Sequence, residues 1–281
     1  WWTIDNKNII FLAFDRPYPT YSTWLAPICD ADYDNTSRLW KNTVVEQIGN
    51  LDISQALNMM AYEEVCIIPE AGKQLTSKLF VVSMEDNKGK DIADIRKALC
   101  CPNMEGKVLF NPKWQPGGSL LSFESINLSD STCEIWFWDY HMDKYYKLDI
   151  KNRCPDPFLR KERIRGGRIL CWSPTGDSVL MIPYPEDYNY MLTGISPDII
   201  PLNPVNPEEK AIHLGGPGGA IWDSCWSNRG DGIAVIRSKY LYESTYSSST
   251  LWVWKKDNNG KWQNGYEVTL DKTQVPVSLS W

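Results

Sequence analysis

Short apolar runs separated by turn residues recur along this chain, and their spacing predicts β-strands. Val108-Leu-Phe is a short apolar run, and Pro116-Gly-Gly just beyond it supplies a tight turn. Proline presets φ there and glycine tolerates positive φ. Residues 120–123 read as a second strand, and the polar stretch 125–132 as a loop. Glu134-Ile-Trp-Phe-Trp-Asp is rich in aromatic β-formers, and Tyr145-Tyr-Lys-Leu-Asp-Ile alternates well enough for a fourth strand. The same order returns later as 221–226, 232–236, Leu251-Trp-Val-Trp and Tyr266-Glu-Val-Thr-Leu.

Tryptophans mark the period. Trp114, Trp172, Trp226 and Trp281 are spaced by 58, 54 and 55 residues, and the first three each precede a turn and an apolar run. Trp2 opens a similar run two periods before Trp114, and Met60-Ala-Tyr-Glu-Glu-Val-Cys-Ile-Ile-Pro reads as a degenerate copy between them. These anchors divide the chain into repeats at 2–58, 59–113, 114–171, 172–225 and 226–281. Self-similarity at such a period signals a repeat architecture, and units of four strands are the blades of a β-propeller. The expectation is therefore an all-β chain forming one β-propeller domain with five visible repeats. It is either a closed five-bladed ring or part of a seven-bladed one. A β-sandwich is the alternative, but sandwiches lack such in-phase recurrence. There is no initiator Met, and the phase of both ends predicts a piece trimmed from a longer chain.

Two segments break the β pattern. Residues 42–60 carry Val45, Ile48, Leu51 and Leu57 and are expected to be partly helical. Residues 90–99 place Ile92, Ile95 and Leu99 on one face, as in a short amphipathic helix.

Composition narrows the function. The 281 residues are 43% hydrophobic with 14 Trp, enough for a substantial core, and most of the aromatics are expected to wedge between blades. The formal charge of −6 argues against a phosphate-backbone partner. The one basic cluster, Arg160-Lys-Glu-Arg-Ile-Arg165, reads as a solvated face. Eight cysteines without a C-x-x-C pair predict reduced thiols and no zinc site. No window approaches the apolar length of a membrane span.

No catalytic constellation emerges. His213-Leu-Gly-Gly-Pro-Gly-Gly resembles the oxyanion loop of some α/β-hydrolases, but the chain has no G-x-S-x-G elbow, so the segment reads as a turn between repeats. His141 is the only other histidine, and the 35 acids offer no distinguishable pair. The expectation is no enzymatic activity, no cofactor and no metal.

The order Trp114-Gln-Pro-Gly-Gly-Ser, Trp138-Asp139, Arg165-Gly-Gly and Trp172-Ser-Pro-Thr-Gly-Asp resembles WD-repeat propellers, in particular the aladin-type proteins of the nuclear pore. The resemblance covers residues 108–182 and departs from the family in blade number, five against seven. It implies a non-catalytic scaffold, cytoplasmic or at the nuclear envelope, held among other proteins of a multi-subunit complex without nucleic acid or a membrane span of its own. Loops carried by a rigid ring are where such partners bind. The candidates are 42–60, 90–99, the proline-rich 195–207 and the Tyr-Ser-rich 240–249, with Tyr240, Tyr242 and Tyr246 as contact residues. Two alternatives stand beside this reading. One is the propeller domain of a prolyl-oligopeptidase-type serine hydrolase whose catalytic part lies outside the chain. The other is a five-bladed glycosidase or lectin.

Overall fold

A computed structural model describes residues 8–15, 20–27, 37–40, 47–68, 74–84, 95–100, 107–127, 129–130, 132–150, 164–185, 196–202, 211–216, 220–239, 248–268 and 279. The first sheet holds β1 (Asn8–Asp15), β2 (Thr20–Pro27) and β3 (Ser37–Trp40). The second holds β4 (Gln47–Ser54), β5 (Met59–Ile68), β6 (Gln74–Ser83) and β7 (Lys97–Ala98). The third holds β8 (Lys107–Trp114), β9 (Leu120–Asn127), β10 (Cys133–Asp139) and β11 (Lys144–Lys147). The fourth holds β12 (Ile164–Trp172), β13 (Ser178–Pro185), β14 (Asp198–Pro201) and β15 (Ile212–His213). The fifth holds β16 (Ala220–Trp226), β17 (Gly232–Lys239), β18 (Ser248–Lys255) and β19 (Tyr266–Val268). Strands adjacent in sequence are adjacent in space throughout. Four successive antiparallel meanders of four strands are propeller blades, and the chain has the β-propeller fold.

The first hairpin of each four-stranded sheet shares one register. Trp114 pairs with Leu121, Trp172 with Val179 and Trp226 with Ile233. In the second sheet the equivalent pair is Ile53 with Met60. The degenerate anchor is therefore Ile53-Ser54, and the Met60 run expected in that role is β5, the strand after the turn. Trp2 and Trp281 lie outside the described residues.

The helical expectation at 42–60 meets strands, with residues 42–46 outside the described residues. Residues 47–54 form β4, and a turn at 55–58 leads into β5. Ile48 and Leu51 sit on either side of a register slip in β4, which mimics a helical spacing of apolar positions. Of 90–99, residues 90–94 lie outside the described residues, Ile95 is helical as expected, and only the end of the segment departs, with Lys97 and Ala98 pairing with Val81 and Phe80 as β7. Leu99 is buried and its N–H donates to the Leu79 carbonyl at 2.9 Å.

The described chain divides into two compact units, Trp1–Asp130 with Trp136–Tyr146, and Ser131–Ile135 with Lys147–Trp281. In the first, Leu79, Val81, Leu109, Trp114, Phe123 and Trp138 share one core. Tyr62, Met60, Phe80 and Val82 form a smaller cluster on the other face of the second sheet, with Tyr62 and Phe80 stacked at 5.6 Å. In the second unit Leu180, Ile199, Ile221, Trp226, Ile233, Val235 and Trp254 are packed together. Full burial of a large side chain contributes roughly 1.5–3 kcal/mol, so the aromatics dominate both cores.

Candidate functional site

The first strand of each four-stranded sheet is irregular at a similar place. Register slips fall between Ile48 and Leu51, Phe110 and Lys113, Ile169 and Cys171, and Ile221 and Asp223. Such bulges bend a strand, re-aim a side chain and are frequent beside active sites. Three residues before the anchor position stand Asn50, Asn111, Ile169 and Asp223. Three of these four are polar.

Two of them form the same pair. Asn50 donates to Glu63 Oε2 from its backbone N at 3.3 Å and from Nδ2 at 2.9 Å. Asn111 Nδ2 donates to Glu124 Oε1. Each partner lies 13 residues on, across the hairpin. Both glutamates are buried. Ser77 Oγ lies 3.0 Å from Glu63 Oε1 and 2.6 Å from the Leu109 carbonyl, and so bridges the second and third sheets. Asn111 holds φ 55, a left-handed conformation that asparagine adopts more readily than most residues. This repeated Asn-Glu pair was missed in the sequence. Its signal is there as one separation at one offset from the anchor.

Beside it, Asp52 Oδ2 accepts the Trp114 N–H at 2.6 Å. Burial pushes the Asp52 carboxyl above its ordinary range, against the opposing pull of that N–H and of Lys113. On the other face Glu64 is buried and ion-paired with Arg96, whose guanidinium lies over the Phe80 ring at 3.9 Å. Burial works against the Arg96 charge, but the Tyr62 hydroxyl and Glu64 outweigh it and hold its pKa above the usual value.

In the second unit, Asp223 accepts from Ser224 N at 2.8 Å and from Leu279 N at 2.7 Å. Burial, helped by Asp223, pushes the neighbouring Cys225 thiol up. His213 Nδ1 meets buried Asp198 at 2.7 Å across the β14–β15 ladder. The described stretch after His213 is seated on tryptophan: Trp254 Nε1 donates to the Leu214 and Gly215 carbonyls at 3.0 and 3.2 Å. Gly216 has φ 121, and a Cβ there would lie 3.2 Å from Trp252 Nε1. His141 is exposed in the β10–β11 turn.

Trp114, Trp172 and Trp226 are all buried. Trp114 packs on Trp138 at 6.3 Å, and Trp226 meets Trp262 edge-on at 5.7 Å. Tyr240, Tyr242 and Tyr246 lie outside the described residues. Among the described residues no three His, Cys, Asp or Glu side chains converge as a metal site. No helix among them is long and apolar enough to cross a membrane.

The sequence matches no family model and no curated protein. Solved structures do match. Oligogalacturonate lyase in complex with manganese is similar at a TM-score of 0.60 and 11% identity, over 94% of this chain and 63% of that one. A putative TolB from Agrobacterium tumefaciens is similar at 0.56 and 12%, over 95% and 78%. Prolyl oligopeptidase B from Galerina marginata is similar at 0.56 and 10%, over 96% of this chain and 34% of that one. At these identities the likeness is one of fold, and this chain spans less than two thirds of the lyase and about a third of the oligopeptidase. The matches agree with the β-propeller fold. They correct the expectation of a WD-repeat scaffold at the nuclear pore, because the structures it resembles are mainly enzyme propellers.

Proposed function

We propose that this chain is the propeller part of a prolyl-oligopeptidase-type serine hydrolase, with the catalytic machinery outside these 281 residues. The observation that carries the reading is the lopsided coverage: 96% of this chain corresponds to 34% of an oligopeptidase chain. A second prolyl endopeptidase repeats it, at 95% and 34% with a TM-score of 0.53. In this reading the chain supplies no catalytic group of its own, and its partner is the hydrolase part. The two histidines fit that role. His213 is engaged by Asp198 within a blade, and His141 stands exposed on a hairpin.

The test is the longer polypeptide that carries this chain. A G-x-S-x-G elbow followed by Asp and His, in that order, is expected in it. The longer protein should react with a fluorophosphonate probe and cleave short proline-containing peptides, while residues 1–281 alone should do neither. A longer protein lacking the elbow, or probe labelling within residues 1–281, would overturn the proposal.

The glycosidase alternative, or a lyase in its place, has one observation in its favour, the buried carboxylates of Glu63 and Glu124 held alike in neighbouring sheets. Glycosidases work with paired carboxylates. Release of unsaturated or reducing ends from oligogalacturonate by the chain alone would favour it.

A further inference from the structure

A groove of about 420 Å³ opens beside the anchor turn of the fifth sheet, lined by Ser227, Asn228, Arg229, Asp231, Lys255 and Lys256. Its one carboxylate is already engaged. Ser227 Oγ donates to Asp231 Oδ1 at 2.6 Å and accepts the Asp231 and Gly232 N–H groups at 3.1 and 2.9 Å. That hydrogen bond, with the charges of Arg229 and Lys256, holds the Asp231 carboxyl below its usual range. Lys256 also lowers the Asp177 carboxyl from the neighbouring anchor turn. Three cations therefore face two carboxylates, both tied into turns. Arg229, Lys255 and Lys256 are exposed. This is a positive surplus on a chain whose net charge is −6.

We propose that this groove binds acidic peptide segments, with Arg229, Lys255 and Lys256 receiving their carboxylates. Guanidinium takes a carboxylate through two parallel N–H donors, and each ammonium takes one as a point charge. The Asn228 amide beside them suits peptide backbone. Nucleic acid fits poorly, since it calls for a broader basic face than three cations on an acidic chain. A sugar fits poorly too, because no aromatic ring is among the residues that line the groove, and the ring beside Lys256 is taken. The Lys256 ammonium lies 5.0 Å from the Trp262 centroid, and Trp226 packs on the same ring edge-on. The groove stands on its own charges, so the proposal does not rest on the hydrolase reading, and the test needs no catalytic part.

The experiment is fluorescence anisotropy of a labelled hexaglutamate peptide titrated with residues 1–281, at about 50 and about 200 mM salt. Binding that weakens with salt is expected, and a hexaglutamine peptide should not bind. The double variant Arg229→Gln/Lys256→Gln should weaken binding about fivefold or more, and Lys255→Gln by a smaller factor. Both alter exposed side chains, and an unchanged thermal melt verifies that they fold. Arg160→Gln/Lys161→Gln, in the basic cluster elsewhere in the sequence, should leave affinity unchanged. Three results would overturn the proposal: no binding by the unaltered chain, an equal loss with the Arg160/Lys161 variant, or displacement of the peptide by a single-stranded oligonucleotide or trigalacturonate at lower concentration than by unlabelled hexaglutamate.

Discussion

One hydroxyl organises each of two anchor turns. Ser173 Oγ accepts the Ser178 N–H at 3.1 Å and donates to Asp177 at 2.9 Å, as Ser227 does with Gly232 and Asp231. Both serines are buried. Ser173→Ala or Ser227→Ala leaves a buried N–H short of its acceptor and is expected to cost about 1–3 kcal/mol, read from urea melts. Asp52 behaves in the opposite sense to Asp177. Its folded carboxyl is raised, so the native state keeps a proton that the unfolded chain releases. Stability present below the ordinary carboxylate range is lost as pH rises through the raised value. Asp52→Asn keeps an acceptor for the Trp114 N–H and escapes that loss. The variant should gain on the unaltered chain progressively as pH rises through and above the ordinary carboxylate range of about 4, measured by paired thermal melts. A gap that stays constant across that range would refute the assignment.

At the level of elements, the strands that were easiest to read are those with unbroken apolar runs. Ile135 to Asp139 is buried throughout, which is why Ile-Trp-Phe-Trp reads so clearly. The bulged first strands were harder, because one extra residue shifts the side-chain alternation. In β4 that shift looked like a helical period. The anchor turn of the second sheet was harder still, since Ile53 replaces the tryptophan that marks it elsewhere, while Ser54 Oγ still accepts a turn N–H, that of Leu57 at 3.2 Å. The Asn-Glu pairs show only as one separation counted across a hairpin, from an anchor that has lost its tryptophan in the second sheet. Packing between elements yields a sharper test. A Cβ on Gly166 of β12 would lie 1.8 Å from the Cys133 carbonyl oxygen, which is backbone and cannot swing away. Gly166→Ala should therefore cost about 1–3 kcal/mol or more. Gly260→Ala meets open space but has φ 78, so it should cost less, and by backbone strain alone. Thermal melts of the two variants rank these costs, and equal losses would argue that strain rather than contact governs β12.

For the molecule as a whole, charge and period carry different information. The net charge of −6 predicts that residues 1–281 will not shift a duplex oligonucleotide in a gel at about physiological salt, whereas a retarded band would reveal a basic face that the sum conceals. The period carried the fold class, because tryptophan, turn and apolar run recur together. It carried no role, and the reading of a pore scaffold failed because Trp-Ser-Pro-x-Gly turns belong to the blade rather than to any one family. The shared register has a consequence for how the gene can change. Each anchor hairpin pairs residues seven apart across its turn, and Asn-Glu bonds or Ser-Asp bonds span that same turn. Deleting or inserting a single codon there would break both the ladder and the bond. Codons can be gained more freely away from these turns, so related genes should keep the turns at fixed length and vary between them.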